Sequence, residues 1–350
     1  MPPPVSAVFP LASRGTDVRR LARFAVGAVV GGGALVAYLA VVGVDSVATR
    51  TAAVAPWALG VVAALVILEG LTDSVGMWAS VKPLGDGLSP RQSVQFAIAG
   101  DFFDALSPAG PVSSEPIVAR FVGVATGTTY SEALAVRSVA KYVKSGAQLV
   151  VSTALGLVVL RGDASPRFVV ATLGVAVVGL LVAGAALVRW RTVVSRVLVA
   201  VLTPLLSRLS SLYRETAYDR SAVSAALDRF WTSVLRFRSE PRLLVWIAVA
   251  GVVEQLLVAA ALWTALAGTG TPAVLFPIVA IVPLPQAASV VPVPASLGAY
   301  DVLLGGALVL ATGAPLAAAA AALLLVRTAS LSFALAIGGL AVALLRGWRP

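Results

Sequence analysis

Long apolar runs, separated by short polar and mostly basic stretches, set the reading of this chain. Phe24–Val44, Val54–Val81, Tyr130–Leu160, Phe168–Val188, Leu243–Leu266 and Ala314–Leu345 are each long enough to cross a hydrocarbon layer of about 30 Å at about 1.5 Å per residue. Two further regions are apolar but broken. Gln92–Gly127 is interrupted at Ser107-Pro108-Ala109-Gly110-Pro111, and Ala273–Thr312 at Pro283, Pro285, Pro292 and Pro294. Each piece is too short for an easy crossing, so both regions read as re-entrant hairpins. The expectation is an all-α polytopic membrane protein with about six spanning helices plus two re-entrant hairpins. Eight full transmembrane helices fit the same hydropathy and stand as the alternative. Local signals place the ends. Ser113 and Ser114 are candidate caps of a half-helix with Glu115 in its first turn, Gly127 is a stop, Thr129-x-x-Glu132 is a capping box, and Pro315 suits a first helical position.

Charge then orients these elements. Residues 1–23 carry Arg14, Arg19, Arg20 and Arg23; Lys82–Arg91 is a basic turn; Arg346 and Arg349 end the chain. Basic loops stay in the cytoplasm, so both termini are expected there, in the cell membrane, with Asp45–Ala53 a loop outside. The segment 189–242, with ten arginines against four acids, reads as cytoplasmic amphipathic helices on the inner leaflet, or as a topology signal alone. The composition, 59% hydrophobic and 12% charged with a net charge of +10, rules out an ordinary soluble domain, in which about 25% of residues would be charged. It also explains the basic excess without nucleic acid. Cysteine and histidine are both absent, which removes disulfides, thiol chemistry and histidine-based catalysis or metal binding. No catalytic residue, metal site or cofactor is expected. The whole of 1–350 reads as one integral membrane domain.

An internal echo marks the candidate chemistry. Shifting the numbering by 186 carries Pro108 onto Pro294, Glu115 onto Asp301, Thr126-Gly127 onto Thr312-Gly313 and Lys141 onto Arg327. Two units follow, 53–160 and 239–346, each helix, hairpin, helix. The loop charges give them opposite topology, as in inverted-repeat transporters. Lys141 and Arg327 then sit about 18 Å in from opposite faces. Arg137, Lys141 and Lys144 form a basic stripe at i, i+4 and i+7. Glu69 and Asp73 share a helix face and, with Glu254, are candidates for a polar pathway. Pro108, Gly110, Pro294 and Gly298 are the hairpin breaks. Ionisable groups inside a membrane are expensive and usually functional. A phosphate crossing hydrocarbon needs cations and helix N-termini, which Lys141, Arg327 and the half-helices offer. Glu115 and Asp301 could neutralise those cations or carry a proton. Two internal salt bridges, Glu115 to Lys141 and Asp301 to Arg327, are the framework alternative.

These residues resemble the transmembrane region of lysylphosphatidylglycerol synthases and their stand-alone, flippase-like relatives. The second loop, Pro294-Ala-Ser-Leu-Gly298-Ala-Tyr300-Asp301, keeps the family's Pro-x-x-x-Gly-x-x-acid form with Asp in place of Glu. The first, Pro108 to Glu115 with Arg120 behind it, has longer spacing and serine before the acid. The resemblance implies movement of a lipid, or of a lipid-linked anionic head group, between leaflets. It places Lys141, Arg327, Glu115, Asp301, Arg120, Arg137, Ser113, Ser114 and Tyr300 as substrate-binding candidates. Membrane lipids are the expected partners, and a second copy of the chain is a further candidate. The alternatives are a membrane-embedded lipid-modifying transferase using Glu69, Asp73 and Asp101 or Asp104 around a metal, and a non-transporting scaffold. No loop could house the soluble aminoacyl-transfer domain that full-length synthases append, so an enzyme is not expected.

Overall fold

A computed structural model describes residues 44–106, 111–159, 164–210, 219–285 and 299–345. The first expected span up to residue 43, the basic termini and the hairpin breaks Pro108, Gly110, Pro294 and Gly298 lie outside them. Among the described residues every regular element is helical and no strand occurs. The chain is an all-helical polytopic membrane protein. Its helices are α1 (Val44–Ala52), α2 (Pro56–Val81), α3 (Pro90–Leu106), α4 (Pro111–Thr126), α5 (Tyr130–Val159), α6 (Ala164–Arg189), α7 (Arg191–Ser210), α8 (Arg220–Arg236), α9 (Pro241–Gly268), α10 (Leu275–Ile281), α11 (Ala299–Thr312), α12 (Leu316–Phe333) and α13 (Gly339–Ala343).

Three of these stretches, Pro56–Val81, Pro241–Gly268 and Leu316–Ala343, are long and apolar enough to cross a membrane. Helix α5, with 30 residues, is about 45 Å long but carries Glu132, Arg137, Lys141 and Lys144. It is less apolar because its charges turn inward. The outer surface is the reverse: Leu59, Ile67 and Leu68 of α2, Val245 and Val249 of α9, and Val175, Val178 and Leu181 of α6 are all exposed. Hydrocarbon outside and ion pairs inside invert the soluble pattern.

Helices α2 and α9 form the central pair, with α5 and α12 packed against them. The amide of Ala55 donates to the carbonyl of Gly268 (3.0 Å), so the start of α2 meets the end of α9 and the two run antiparallel. Small residues let them approach: a Cβ at Gly76 would lie 3.7 Å from the Ala250 methyl, the kind of contact that drives helix association in lipid. Helices α5 and α12 also run in opposite directions. Glu132, at the start of α5, pairs with Arg236 (3.7 Å), whose guanidinium also donates to the carbonyl of Pro83, just after α2. Ala320 and Ala321, near the start of α12, instead pack on Val47, just before α2.

The hairpin of α3 and α4 enters and leaves beside the end of α2, since a Cβ at Gly85 would lie 3.1 Å from the carbonyl oxygen of Thr126. Its limbs have 17 and 16 residues, about 25 Å each. Stacked Phe103 and Phe121 rings, 5.8 Å apart, hold them together. The limb ends at Gly127 (φ 65°), where the amide of Thr128 donates to the carbonyl of Gly123 (2.9 Å). Gly313, which closes α11, has φ 69°. Only glycine takes this left-handed conformation at no steric cost. The capping box forms: the Thr129 amide donates to Glu132 (3.0 Å) and the Glu132 amide to Thr129 Oγ1 (3.4 Å).

Five expectations change. The stretch Asp45–Ala53 is not a loop; it is helical as far as Ala52 in α1, with Asp45 and Arg50 at the dipole-favoured ends and Val47 buried. Ser114 and Glu115 are not at the start of a half-helix, because α4 begins at Pro111 and the Ser114 hydroxyl is turned to Asp104. Pro315 precedes the first helical residue, its ψ of 139° still extended. The last helix is interrupted by a π-helical turn, Ala334–Gly338, where a Cβ on Gly338 would lie 2.8 Å from the carbonyl oxygen of Ile98. The segment 189–242 divides in two. Helix α7 bends away from α6 by 80° and exposes Val193, Val197, Val201 and Leu205 at intervals of four, an apolar stripe suited to a leaflet surface. Helix α8 joins the bundle instead: it packs against α5, and Phe237 just after it is buried in the core.

Candidate functional site

The basic stripe of α5 turns toward α2, α9 and the two limbs of the hairpin, and acids from four other helices answer it. Arg137 is buried and donates from Nε and Nη2 to the two oxygens of Glu115 (2.9 Å each), with Nη1 on Met77 Sδ (3.3 Å). Such a two-pronged pair suits the planar guanidinium fork. Lys141 Nζ lies 3.2 Å from Glu115 and 3.7 Å from Asp104, and Ser114 donates to the same Asp104. Lys144 Nζ donates to Asp73 (2.9 Å) and pairs with Glu254. Glycine at 251 permits that last approach: a Cβ there would lie 2.7 Å from Lys144 Cγ. Gln148 Nε2 donates to the carbonyl of the same glycine (2.9 Å).

The second half also joins an acid to a base. Asp301, in the first turn of α11, lies 3.3 Å from Arg327 Nε of α12. The Arg327 guanidinium sits 4.6 Å above the Tyr300 ring, a favourable place for a cation. Both ion pairs of the framework alternative, Glu115 with Lys141 and Asp301 with Arg327, are therefore present.

Between the two halves is a cavity of about 580 Å³. One part of its wall is charged: Glu69, Asp101, Asp104, Glu115, Lys141, Lys144 and, from the other half, Arg327. The rest is apolar, with Leu65, Leu257, Leu262, Leu304, Leu323 and Phe333. The hairpin tip, carrying Asp104 and Glu115, is level with Lys141. That residue lies about 17 Å along α5, less than half its length.

Of the residues singled out from sequence, the cavity gathers Glu69, Glu115, Lys141, Tyr300 and Arg327. Asp73 and Glu254 stand behind Lys144, Asp301 behind Arg327, and Ser114 behind Asp104. Arg137 is closed off by Glu115 and Met77. Arg120 is exposed on α4, apart from the cavity. The side chain of Ser113 lies outside the described residues. Asp101 and Asp104 line the cavity although sequence reasoning entertained them only around a metal. Among the described residues no three metal-ligating side chains converge; Asp73 is engaged by Lys144, and Asp104 by Ser114 and Lys141. Lys144 of the basic stripe lines it too, and Gln148, Ser138 and Ser145, not singled out from sequence, join it. Their signal was available, because Ser138, Lys141, Ser145 and Gln148 recur at helical spacing within an apolar segment.

No curated protein and no solved structure matches the chain. Residues 21–338 match the family described as Lysylphosphatidylglycerol synthase TM region. That match covers most of the chain and includes both ion-paired halves and the cavity between them, so the protein belongs to the lysylphosphatidylglycerol synthase transmembrane-region family.

Proposed function

We propose that the protein moves a membrane lipid with a phosphate head group, or a lipid-linked anionic head group, between leaflets of the cell membrane, with both termini in the cytoplasm. The observation that carries this reading is the cavity: a charged wall beside an apolar one, inside a shell of exposed apolar helices. Its size falls within the range of about 300–1,000 Å³ usual for sites that bury a small ligand. A head group needs ionic partners in hydrocarbon and its acyl chains do not, so the split wall fits an amphiphile. Lys141, whose side chain is 34% exposed, supplies a point charge, and Arg327 a planar fork. Glu115 and Asp301 hold these cations while the site is empty. Asp104 and Glu115, from the two limbs of the first hairpin, meet Lys141 deep within α5, which suits alternating exposure of one central site.

The test is reconstitution into liposomes of phosphatidylglycerol and phosphatidylethanolamine carrying a trace of fluorescent phosphatidylglycerol, with a membrane-impermeant quencher outside. The protein should make the inner-leaflet probe quenchable, and Lys141→Gln with Arg327→Gln should abolish this while the protein remains monodisperse. Equal quenching with and without protein would overturn the reading. Recovery of a chemically altered probe by chromatography would favour the transferase instead.

A further inference from the structure

Lys144 answers to two carboxylates at once, Asp73 from α2 and Glu254 from α9. The group lies deep in the bundle: Glu254 is about 20 Å from the start of α9. Its side chain is 4% exposed, and its Oε1 is buried with no hydrogen-bond partner among the described residues. The helices around it add little positive charge. Helix α2 contributes Glu69 and Asp73, both acids. Helix α5 contributes Lys144 and Lys141, the latter already held by Glu115 and Asp104, with Arg137 bound to Glu115 a turn further on. Helix α12 brings Arg327, paired with Asp301. Helix α10, Leu275–Ile281, carries no charged residue, and Glu254 is the one charged residue of α9 after Arg242. The cluster is thus richer in acid than in base before any head group arrives.

Lys144 also lines the cavity, whereas Glu254 does not. It therefore stands between a buried acid and the space where a phosphate would sit. Adding an anion to an acid-rich pocket in a low dielectric is strongly unfavourable unless positive charge enters with it. The carboxylate with an unsatisfied buried oxygen is the group best placed to accept it.

We propose that Glu254 is the proton site of the protein: it holds a proton while Lys144 serves an anionic head group in the cavity, and releases that proton to recapture Lys144. This inference rests on the lipid-transport reading and adds its coupling ion. In the loaded state Glu254 is a neutral acid, and the ammonium of Lys144 is shared between Asp73 and a phosphate oxygen. On release the proton leaves the Glu254 carboxyl for water, the carboxylate takes back Lys144, and the phosphate departs. One proton and one phosphate monoanion enter together, so the charge of the site is the same loaded and empty. Binding is reciprocal: protonation favours the head group, and the head group favours protonation. Net movement of lipid monoanion with proton is electroneutral, so a pH gradient drives it and a membrane potential does not.

The experiment combines two readouts on purified full-length protein in the liposomes described above. Infrared difference spectra across a pH titration should show a protonated carboxyl band that Glu254→Gln removes and Glu254→Asp shifts. Phosphatidylglycerol probe should collect in the leaflet on the alkaline side, approaching an about ten-fold ratio for one pH unit at one proton per lipid. A protonophore should return that ratio to about one, and so should Glu254→Gln. A band unchanged in both variants would overturn the proton site, whether or not lipid moves. Lipid movement that is the same with and without the gradient would overturn the coupling. A band lost in Glu254→Gln beside no lipid movement at any pH would instead overturn the transport reading and keep the proton site. Should Glu254→Gln fail to fold, the band shift in Glu254→Asp decides.

Discussion

The two halves of the cavity bring opposite charges together in different ways. On the side of the first hairpin, Glu115 serves Arg137 and Lys141 together, Asp104 serves Lys141 and Ser114, and Arg137 is braced by Met77. Opposite it, Asp301 meets Arg327 beside the Tyr300 ring. Each carboxylate lies at the corresponding place before a glycine of positive φ, yet Glu115 is shared by two cations of one helix, whereas Asp301 faces a guanidinium that also lies over an aromatic ring. A carboxylate shared by two cations leaves both exposed to the same loss. A guanidinium on an aromatic face keeps that contact when its carboxylate is removed. The side of Asp301 should therefore tolerate loss of its acid better than the side of Glu115.

The comparison can be broken most sharply at Glu115. Glu115→Gln leaves the buried Arg137 and the half-buried Lys141 without their shared carboxylate and should cost about 3–5 kcal/mol, read as a large fall in melting temperature in detergent. Asp301→Asn should cost less, about 1–3 kcal/mol, because Arg327 keeps Tyr300 and an opening to the cavity. Equal losses at the two sites would show that both halves are framework. Conservative swaps separate charge from shape. Lys141→Arg should retain stability within about 1 kcal/mol, since a half-buried cation that keeps its charge beside Glu115 and Asp104 tolerates rearrangement. Arg327→Lys should fold equally well but lose the fork over Tyr300, changing head-group preference in the liposome assay. Wild-type rate and preference in both swaps would remove the binding role from Lys141 and Arg327. The smallest effect is expected at Arg236→Ala, where an exposed 3.7 Å ion pair with Glu132 is worth about 0–1 kcal/mol.

Much of the architecture was legible because a membrane demands uninterrupted apolar length. Val54–Val81 and Leu243–Leu266 were readable within two residues as Pro56–Val81 and Pro241–Gly268. Gly127, Gly313 and the Thr129–Glu132 box carried their own local chemistry. Helix α1 was missed, since its mixed polar and apolar residues carry no strong pattern, and its buried Val47 packs on Ala320 and Ala321 of α12. The docking of α8 was missed for a similar reason. Its arginines read as a surface signal, while Phe237 and the reach of Arg236 to Pro83 depend on where α2 ends.

Hydropathy, helix caps and the positions of proline and glycine are properties of neighbouring residues, so the sequence by itself determined where the long helices run and where the chain breaks. It also determined that acids and bases would be carried into the membrane, since those residues lie inside apolar runs. Which acid meets which base was decided by tertiary structure. Glu69 and Asp73 share a helix face, yet one lines the cavity and the other binds Lys144, 71 residues away in sequence. Lys144 reaches Glu254 because Gly251 leaves its stem room on α9. Such contacts depend on the rotation of each helix about its axis and on how closely two helices approach. Both are set by small residues packing across an interface, which no periodicity within one helix records.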